Sequence, residues 1–413
     1  VPLVTSGQIS LNDMHVEVGG TSATECSLND ADIRGLIGKS SAAQSGFNEF
    51  YGASSTSYIV LAPAAGTYTT FDDGDFRYYV FSGATNTAPN LTSLGDSGSN
   101  GEKLYFRMWG AGGGGGGGGQ YAGADGGAGG YSSGYWIPTA TGLLRIQVGS
   151  GGQGGENMNN GYPVIDGGAG GQPSGISSTN LEGGAGGAGY GADSSSEVGG
   201  GGGGGGGTRF RTNWSTGSPA SPTFEVWVGA GGGGGGSDQS ASGAPTAGGS
   251  GGAGSTSNST GLDASTIGNS GGGGGATSST GGTGGVVSGN GQSGQAGVLY
   301  HGGDGGTGPS NSYGGGGGGG AGYYGGGGGG TGGSSQAAGG GGGSGSNSGS
   351  VTLTAALRRS YGNRNAVQSN AVGFVSGASA GGLKGPQTLG APATTRAGTG
   401  GSGCVVLYHK FQN

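Results

Sequence analysis

The chain has 413 residues, of which 123 are glycine, against a usual share near ~7%. Only 12 prolines accompany unbroken glycine runs, which excludes collagen. With 8% charged and 8% aromatic residues it also lacks the charged, aromatic-poor composition of a solvated disordered chain, and a net charge of −7 without a long Lys/Arg run argues against a nucleic-acid partner. Two cysteines, Cys26 and Cys404, are too few for a disulfide framework and read as unpaired thiols of a protein assembled in a reducing compartment. No stretch reaches the ~20 apolar residues of a membrane span, so no membrane insertion is expected. Val1 to Thr5 shows neither the basic region nor the apolar core of a signal peptide.

In chain order, the alternation in Ile9-Ser10-Leu11 and His15-Val16-Glu17-Val18 predicts two short strands. Ser27 to Gly38 reads as a helix, with Ser27 or Asn29 as its cap and Asp30 and Asp32 at its positive end. Ile33, Leu36 and Ile37 share one face, and Gly38 is the stop. Phe47 to Gly52 closes a small α+β unit over residues 1–53. Its apolar set (Ile9, Leu11, Ile33, Leu36, Ile37, Phe47 and Phe50) is too small to build much core alone. A partner is therefore expected, with a homotrimer favoured and a monomer as the alternative. The strings SGQISLNDMHVEVGG, SLNDADIRGLIGKSS and FNEFYG, between Ser6 and Gly52, resemble a module at the N-termini of tail-fibre and related structural proteins of tailed phages. That resemblance implies attachment to other virion proteins, with the apolar set as the attachment segment.

Residues 54–103 read as a β-rich connector, with strands at Tyr58–Leu61, Tyr68–Phe71 and Phe76–Phe81 and turns at Pro63–Gly66 and Asp72–Asp75. The acidic turn lacks the remaining ligands of a calcium loop, so it reads as a plain turn. Residues 104–413 form a glycine-rich domain. Runs at 112–119, 199–207, 231–236, 271–275, 314–320, 325–330 and 339–343 alternate with strands at Leu104–Trp109, Leu143–Val148, Phe224–Val228, Val351–Thr354 and Cys404–His409.

Glycine weakens both strand and helix interiors, so neither element explains the runs. A three-residue-per-turn rod of ~3.1 Å rise does, because its N–H and C=O groups all point outward. Without side chains such rods approach closely and bond to several neighbours at once. A lone rod never recovers the ~1–2 kcal/mol cost of ordering each residue, so a bundle is required. LYFRMWGAGGGGGG, LLRIQVGSGGQGG, FEVWVGAGGGGGG and GGSGCVVLYH are similar to the glycine-rich domain pattern of phage and bacterial surface proteins and of the anaplastic-lymphoma-kinase receptor family. That similarity implies an all-β fold: a tumour-necrosis-factor-like or jelly-roll-like β-sandwich carrying packed polyglycine II helices. Phage tip adhesins with polyglycine sandwiches are also similar, and in them loops at the rod ends contact the receptor.

No catalytic constellation emerges. His15, His301 and His409 lie far apart without ligand-spaced partners, and GxGxxG matches such as Gly110–Gly115 lack a strand–helix context. No enzyme, metal or cofactor is expected. Tyrosines beside glycine runs suit recognition of sugars or proteins, which makes Tyr313, Tyr323 and Tyr324 candidates for receptor contact. The interruption Arg209, Phe210, Arg211 to Trp214 is a second candidate. The expected function is a virion fibre or adhesin that meets a host cell-surface receptor. A purely structural appendage and a secreted matrix protein are the alternatives.

Overall fold

A computed structural model of the protein describes residues 3–18, 20–37, 39–40, 43–53, 59–62, 68–94, 102–119, 121–157, 164–173, 181–190, 198–212, 224–237, 245–253, 259–265, 270–287, 289–309, 313–331, 337–360, 363–384 and 396–410. The predicted turn at Pro63–Gly66, the helix stop Gly38 and the candidate Trp214 lie outside them. The fold is all-β, with three short helical turns confined to the first 53 residues.

Those residues surround their own core of Leu3, Met14, Ile33 and Phe50. The two strands expected there are instead one helix, α1 (Leu11–Glu17). Ser10 caps it: its hydroxyl accepts from the Asp13 N–H, and the Asp13 carboxylate accepts from the Ser10 N–H. This reciprocal cap outweighs the local alternation, and Leu11, Met14 and Val18 then line one side toward the core. A second helix, α2 (Ala31–Gly35), is shorter than expected and starts after Asp30. Neither Ser27 nor Asn29 caps it; the Asp30 carboxylate turns back to the Ser27 N–H at 2.7 Å. Buried Arg34 donates to the carbonyls of Ser40, Leu28 and Ala43, so a hydrogen-bonded arginine substitutes for part of the missing apolar core. A single 3-10 turn, Phe47–Phe50, closes the unit.

The strands that follow are β1 (Ile59–Ala62), β2 (Thr69–Asp73), β3 (Phe76–Ser82), β4 (Thr85–Thr87), β5 (Asn90–Leu94), β6 (Leu104–Trp109), β7 (Tyr131–Trp136), β8 (Gly142–Val148), β9 (Val164–Ile165), β10 (Gly189–Tyr190), β11 (Thr208–Thr212), β12 (Phe224–Val228), β13 (Ser346–Gly349), β14 (Val351–Leu357) and β15 (Cys404–Lys410). One sheet runs β1-β5-β8-β11-β12-β13 with β4 also on β8, and the other runs β14-β7-β6-β15-β3-β2; every pairing is antiparallel. Alternate residues of both sheets meet in one core. Phe106 and Met108 of β6 and Val405 and Leu407 of β15 face Ile146 of β8, Phe210 of β11 and Phe224 of β12. Ring contacts cross it, Phe106 to Phe210 at 6.0 Å and Trp136 to Phe224 at 4.6 Å. The second sheet is also buried on its far side, where Val367 and Phe374 cover Trp109 and Tyr131 and the Trp109 indole donates to the Val367 carbonyl at 2.8 Å.

Strands β6, β8 and β12 each run directly into glycine, and there the hydrogen bonding acquires a period of three. Gly112 and Gly115 donate to Gly401 and Gly398, Gly113 and Gly116 to Gly127 and Ala124, and Gly114 and Gly117 to Gly203 and Gly200. The run 199–207 donates in turn to segments 150–156, 181–187 and 231–237, and it accepts from segments 114–117, 168–171 and 315–321. It therefore has six backbone neighbours, all within hydrogen-bond distance. A Cβ on Gly201, Gly202 or Gly203 would stand 2.0, 2.2 or 2.1 Å from the carbonyl oxygen of Gly316, Gly114 or Ala169. Outer segments show the same period in exposure: Asp166, Ala169 and Gln172 face solvent while Gly168 and Gly171 are buried, and Thr280, Thr283 and Val286 repeat the pattern.

Two outcomes follow. Gly202→Ala forces a methyl group into a fixed carbonyl and lowers stability by about 3 kcal/mol or more, whereas Ala169→Ser, at an outward position, changes it by less than ~0.5 kcal/mol; denaturant unfolding measures both. His409 lies buried at the edge of the shared core, its ring against Tyr79, and burial pushes its pKa below the ordinary 6.5. The unfolded chain therefore binds a proton that the folded one refuses, so stability held above pH 6.5 is lost as pH falls below it. The thermal midpoint drops between about pH 7.5 and 5.5, and the drop shrinks in His409→Gln.

Candidate functional site

On β11 the sequence Thr208-Arg-Phe-Arg-Thr212 alternates, and on β12 Phe224-Glu-Val-Trp-Val228 does the same. The apolar members enter the shared core, so Arg209, Arg211, Glu225 and Trp227 project from the opposite face of the sheet. Register places Arg209 between Gln147 of β8 and Trp227, and Arg211 between Arg145 of β8 and Glu225. Two polar rows result, the first beside the rods and the second one step farther out.

The first row is roofed by a turn from the rod region. Val298 and His301 exchange backbone hydrogen bonds of 2.9 and 3.2 Å, with Leu299 and Tyr300 at the tip. Tyr300 adopts φ +69°, a left-handed conformation that costs a residue with a Cβ about 1–3 kcal/mol. It is held there from three sides. Its ring lies on Trp227 with centroids 4.9 Å and planes 5° apart, its carbonyl accepts from Leu181, and its N–H donates to Tyr323. Tyr323 meets the edges of Trp227 and Tyr300 at 6.0 and 5.9 Å, and Tyr324 follows at 5.4 Å. The Arg209 guanidinium lies 4.6 Å from the Trp227 ring and 6.0 Å from Tyr300 and pairs with Glu225 at 2.5 Å. Burial pushes its pKa down to about 10, against the pull of Glu225. Beside this cluster Val298 and Leu299 stay 59% and 44% exposed.

The structure thus brings the Arg209 and Arg211 strand beside Tyr323 and Tyr324, two pairs more than a hundred positions apart in sequence. Phe210 is corrected as a receptor-contact candidate: with no exposed surface it belongs to the core, because this interruption of the glycine sequence is strand β11, whose alternation turns Phe210 inward. Tyr313 precedes the run 314–320 and Tyr323 follows it after Ala321-Gly322, so the whole run stands between them. Of the attachment candidates, Ile33 and Phe50 are fully buried, and Ile9, Leu11, Leu36 and Ile37 pack against them; Phe47 is 43% exposed. Tyr131 and Trp136, which adjoin glycine stretches in the sequence, lie inside the fold as part of β7. Trp227, Tyr300, Arg145 and Glu225 escaped the sequence reading. The alternation of Glu225 and Trp227 against Phe224, Val226 and Val228 was the available signal.

A second aromatic feature crosses the outer face of the other sheet. Phe71, Tyr78, Tyr408, Tyr105 and Tyr135 occupy successive partner positions on β2, β3, β15, β6 and β7. The first four rings stack at 4.8, 4.9 and 5.1 Å, with planes within 16°. Their faces are turned to one another, which leaves little π surface for a sugar and makes the row a cross-strand brace.

Among the described residues no group of three or more His, Cys, Asp or Glu side chains is placed to hold a metal ion, and no helix is long and apolar enough to cross a membrane. Cys404 is buried and its thiol is pushed up to about 12, which removes it as a nucleophile at neutral pH. Compared with known proteins, the chain matches no family model and no curated sequence.

Glu225→Gln leaves the Arg209 charge half-enclosed without its carboxylate. A stability loss of about 2 kcal/mol is expected, read by denaturant unfolding, with an accompanying change in Trp227 fluorescence.

Proposed function

We propose that this chain is a recognition protein of a virion surface appendage, a tail fibre or tip adhesin. In this reading a β-sandwich of the tumour-necrosis-factor type carries a bundle of polyglycine II helices, and together they form a stiff mount. The patch of Arg209, Arg211, Tyr300, Tyr323 and Tyr324, backed by the buried Trp227, contacts a receptor on the host cell. The observation that carries this is the convergence of two remote interruptions of the glycine sequence on one half-buried, cationic and aromatic surface. The period-three hydrogen bonding with six neighbours per interior run supports the polyglycine geometry. The shared core of two antiparallel sheets supports the sandwich.

The N-terminal unit joins the protein to its particle, and the likeness of its sequence to phage attachment modules supports that role. Exposed Val4, Val16, Phe47 and Tyr51 give it apolar surface for virion proteins or for its own copies in a homotrimer. Aromatic and arginine side chains are the residues that most often carry binding energy at such surfaces.

The test is saturable binding of fluorescent full-length protein to host cells, scored also as protection from infection. Exchange of Leu299-Tyr300 for Gly-Gly is expected to weaken binding by about tenfold or more, the equivalent of ~1.4 kcal/mol. Folded protein that never binds host cells points to a structural appendage without a receptor role.

A further inference from the structure

A bundle whose rods bond sideways in every direction needs something to stop it growing. The interior run 199–207 shows where each side chain would go. A Cβ on Gly201 would meet the segment whose N–H bonds to the Gly202 carbonyl. One on Gly202 would meet the segment that donates to Gly203, and one on Gly203 the segment that donates to Gly204. A side chain on a rod therefore takes the seat of the neighbour that donates to the next residue along.

The segment 280–287, Thr-Gly-Gly-Thr-Gly-Gly-Val-Val, is an outer rod. Gly282 and Gly285 donate to Gly325 and Gly328 and accept from Gly297 and Gly294, while the carbonyls of Thr283 and Val286 accept from Gly274 and Gly271. The interior rule holds on these sides: a Cβ on Gly282 would stand 1.9 Å from the Gly274 carbonyl oxygen, and one on Gly284 2.0 Å from that of Gly294. By the same rule the side chains of Thr280 and Thr283 point where a rod donating to Gly281 and Gly284 belongs. No described residue donates to either carbonyl. Thr280 and Thr283 are exposed, and Val286, one turn farther on, is 75% exposed. Side chains hold this seat in place of a rod.

Elsewhere the outward N–H groups are taken up by the protein itself. On the rod 166–172 those of Asp166, Ala169 and Gln172 donate to the side chains of Glu156, Gln153 and Ser150 at 3.2, 3.3 and 2.9 Å. The N–H groups of Thr283 and Val286 have no such acceptor among the described residues. Charge gives no protection either, because no Asp, Glu, Lys or Arg occurs from Ala264 to Gly303. Two copies of a chain with net charge −7 meet here without local repulsion. Peptide groups left free every three residues, about 9 Å apart, match another polyglycine rod as an open sheet edge matches a strand. We infer that Thr280, Thr283 and Val286 occupy the seat of one further rod, and so bar a second copy of this chain from docking its own 280–287 rod there. The inference is independent of the receptor reading.

Sedimentation velocity over a range of concentrations reads self-association of the full-length protein, and thermal unfolding checks that each variant folds. Thr280→Gly/Thr283→Gly/Val286→Gly is expected to self-associate about tenfold or more tightly than the parent, with little effect of added salt. Thr280→Ala/Thr283→Ala/Val286→Ala keeps every Cβ and is expected to behave as the parent does. Thr283→Gly alone makes the same test with a smaller rise, should the triple glycine variant unfold. Folded glycine variants that associate no more than the parent overturn the inference. So does an alanine variant that associates as tightly as the glycine one, since the Cβ is then no barrier. Association of the parent that Thr283→Lys abolishes also overturns it, because the face is then an open interface.

Discussion

Backbone approaching backbone, with no side chain between, is the contact on which everything else in this protein depends. In an ordinary core, side chains fill the space between elements and hold main chains about 10 Å apart. Here a Cβ placed on Gly233 would lie 1.9 Å from the Gly202 carbonyl oxygen, and one on Gly318 would lie 2.0 Å from that of Gly184. That closeness makes glycine obligatory wherever a Cβ would meet a neighbouring carbonyl, and it lets successive peptide groups bond outward to different neighbours. Glycine loses more freedom on folding than any other residue. The compensating gain is that interior N–H groups, all of those from Gly199 to Gly207 among them, bond to carbonyls of neighbouring segments, with dispersion contacts on all sides.

The β frame and the rods support each other. The sheets have a conventional apolar core, which fixes where Trp109, Val148 and Val228 hand the chain over to glycine. The rods return the chain to the sheets at Thr208, Ser346 and Cys404. The polar patch sits at this seam, where a turn of the rod region leans on the sheet. Its left-handed Tyr300 is tolerable only because Trp227 below and the backbone on either side hold it. A surface of long polar side chains on a mobile loop would lose entropy on binding; here the side chains are already braced by stacking and by the ion pair.

Much of the frame was legible in the sequence. Apolar alternation marked β3, β6, β8, β12 and β15, and the glycine runs marked the rods. Strands β7 and β11 were not, for a physical reason. Tyr131-Ser-Ser-Gly-Tyr-Trp136 has small residues where the sheet is crowded: a Cβ on Gly134 would stand 2.2 Å from the Thr352 carbonyl oxygen. Thr208 to Thr212 has only one apolar residue, Phe210, facing the core. The helix α1 was masked by a fortuitous alternation that the Ser10–Asp13 cap overrides. The patch was half legible, because arginine and tyrosine among glycines stand out locally. What joins them is strand register, a property of pairings dozens of residues apart that no local window contains.

A uniform run of glycine in a three-residue turn has screw symmetry: advance it one residue, rotate it a third of a turn, and it coincides with itself. Such a rod carries no information about its own axial position. The marks that index it are the few methyl groups, Ala111, Ala230 and Ala321 among them, and the strand ends it joins. Gain or loss of one codon within a run therefore need not scramble the interior. The rod can re-seat by a single step, and the mismatch emerges at its tip. A change of run length is accordingly absorbed by the scaffold and expressed at the loops, leaving the sheets and their core unchanged.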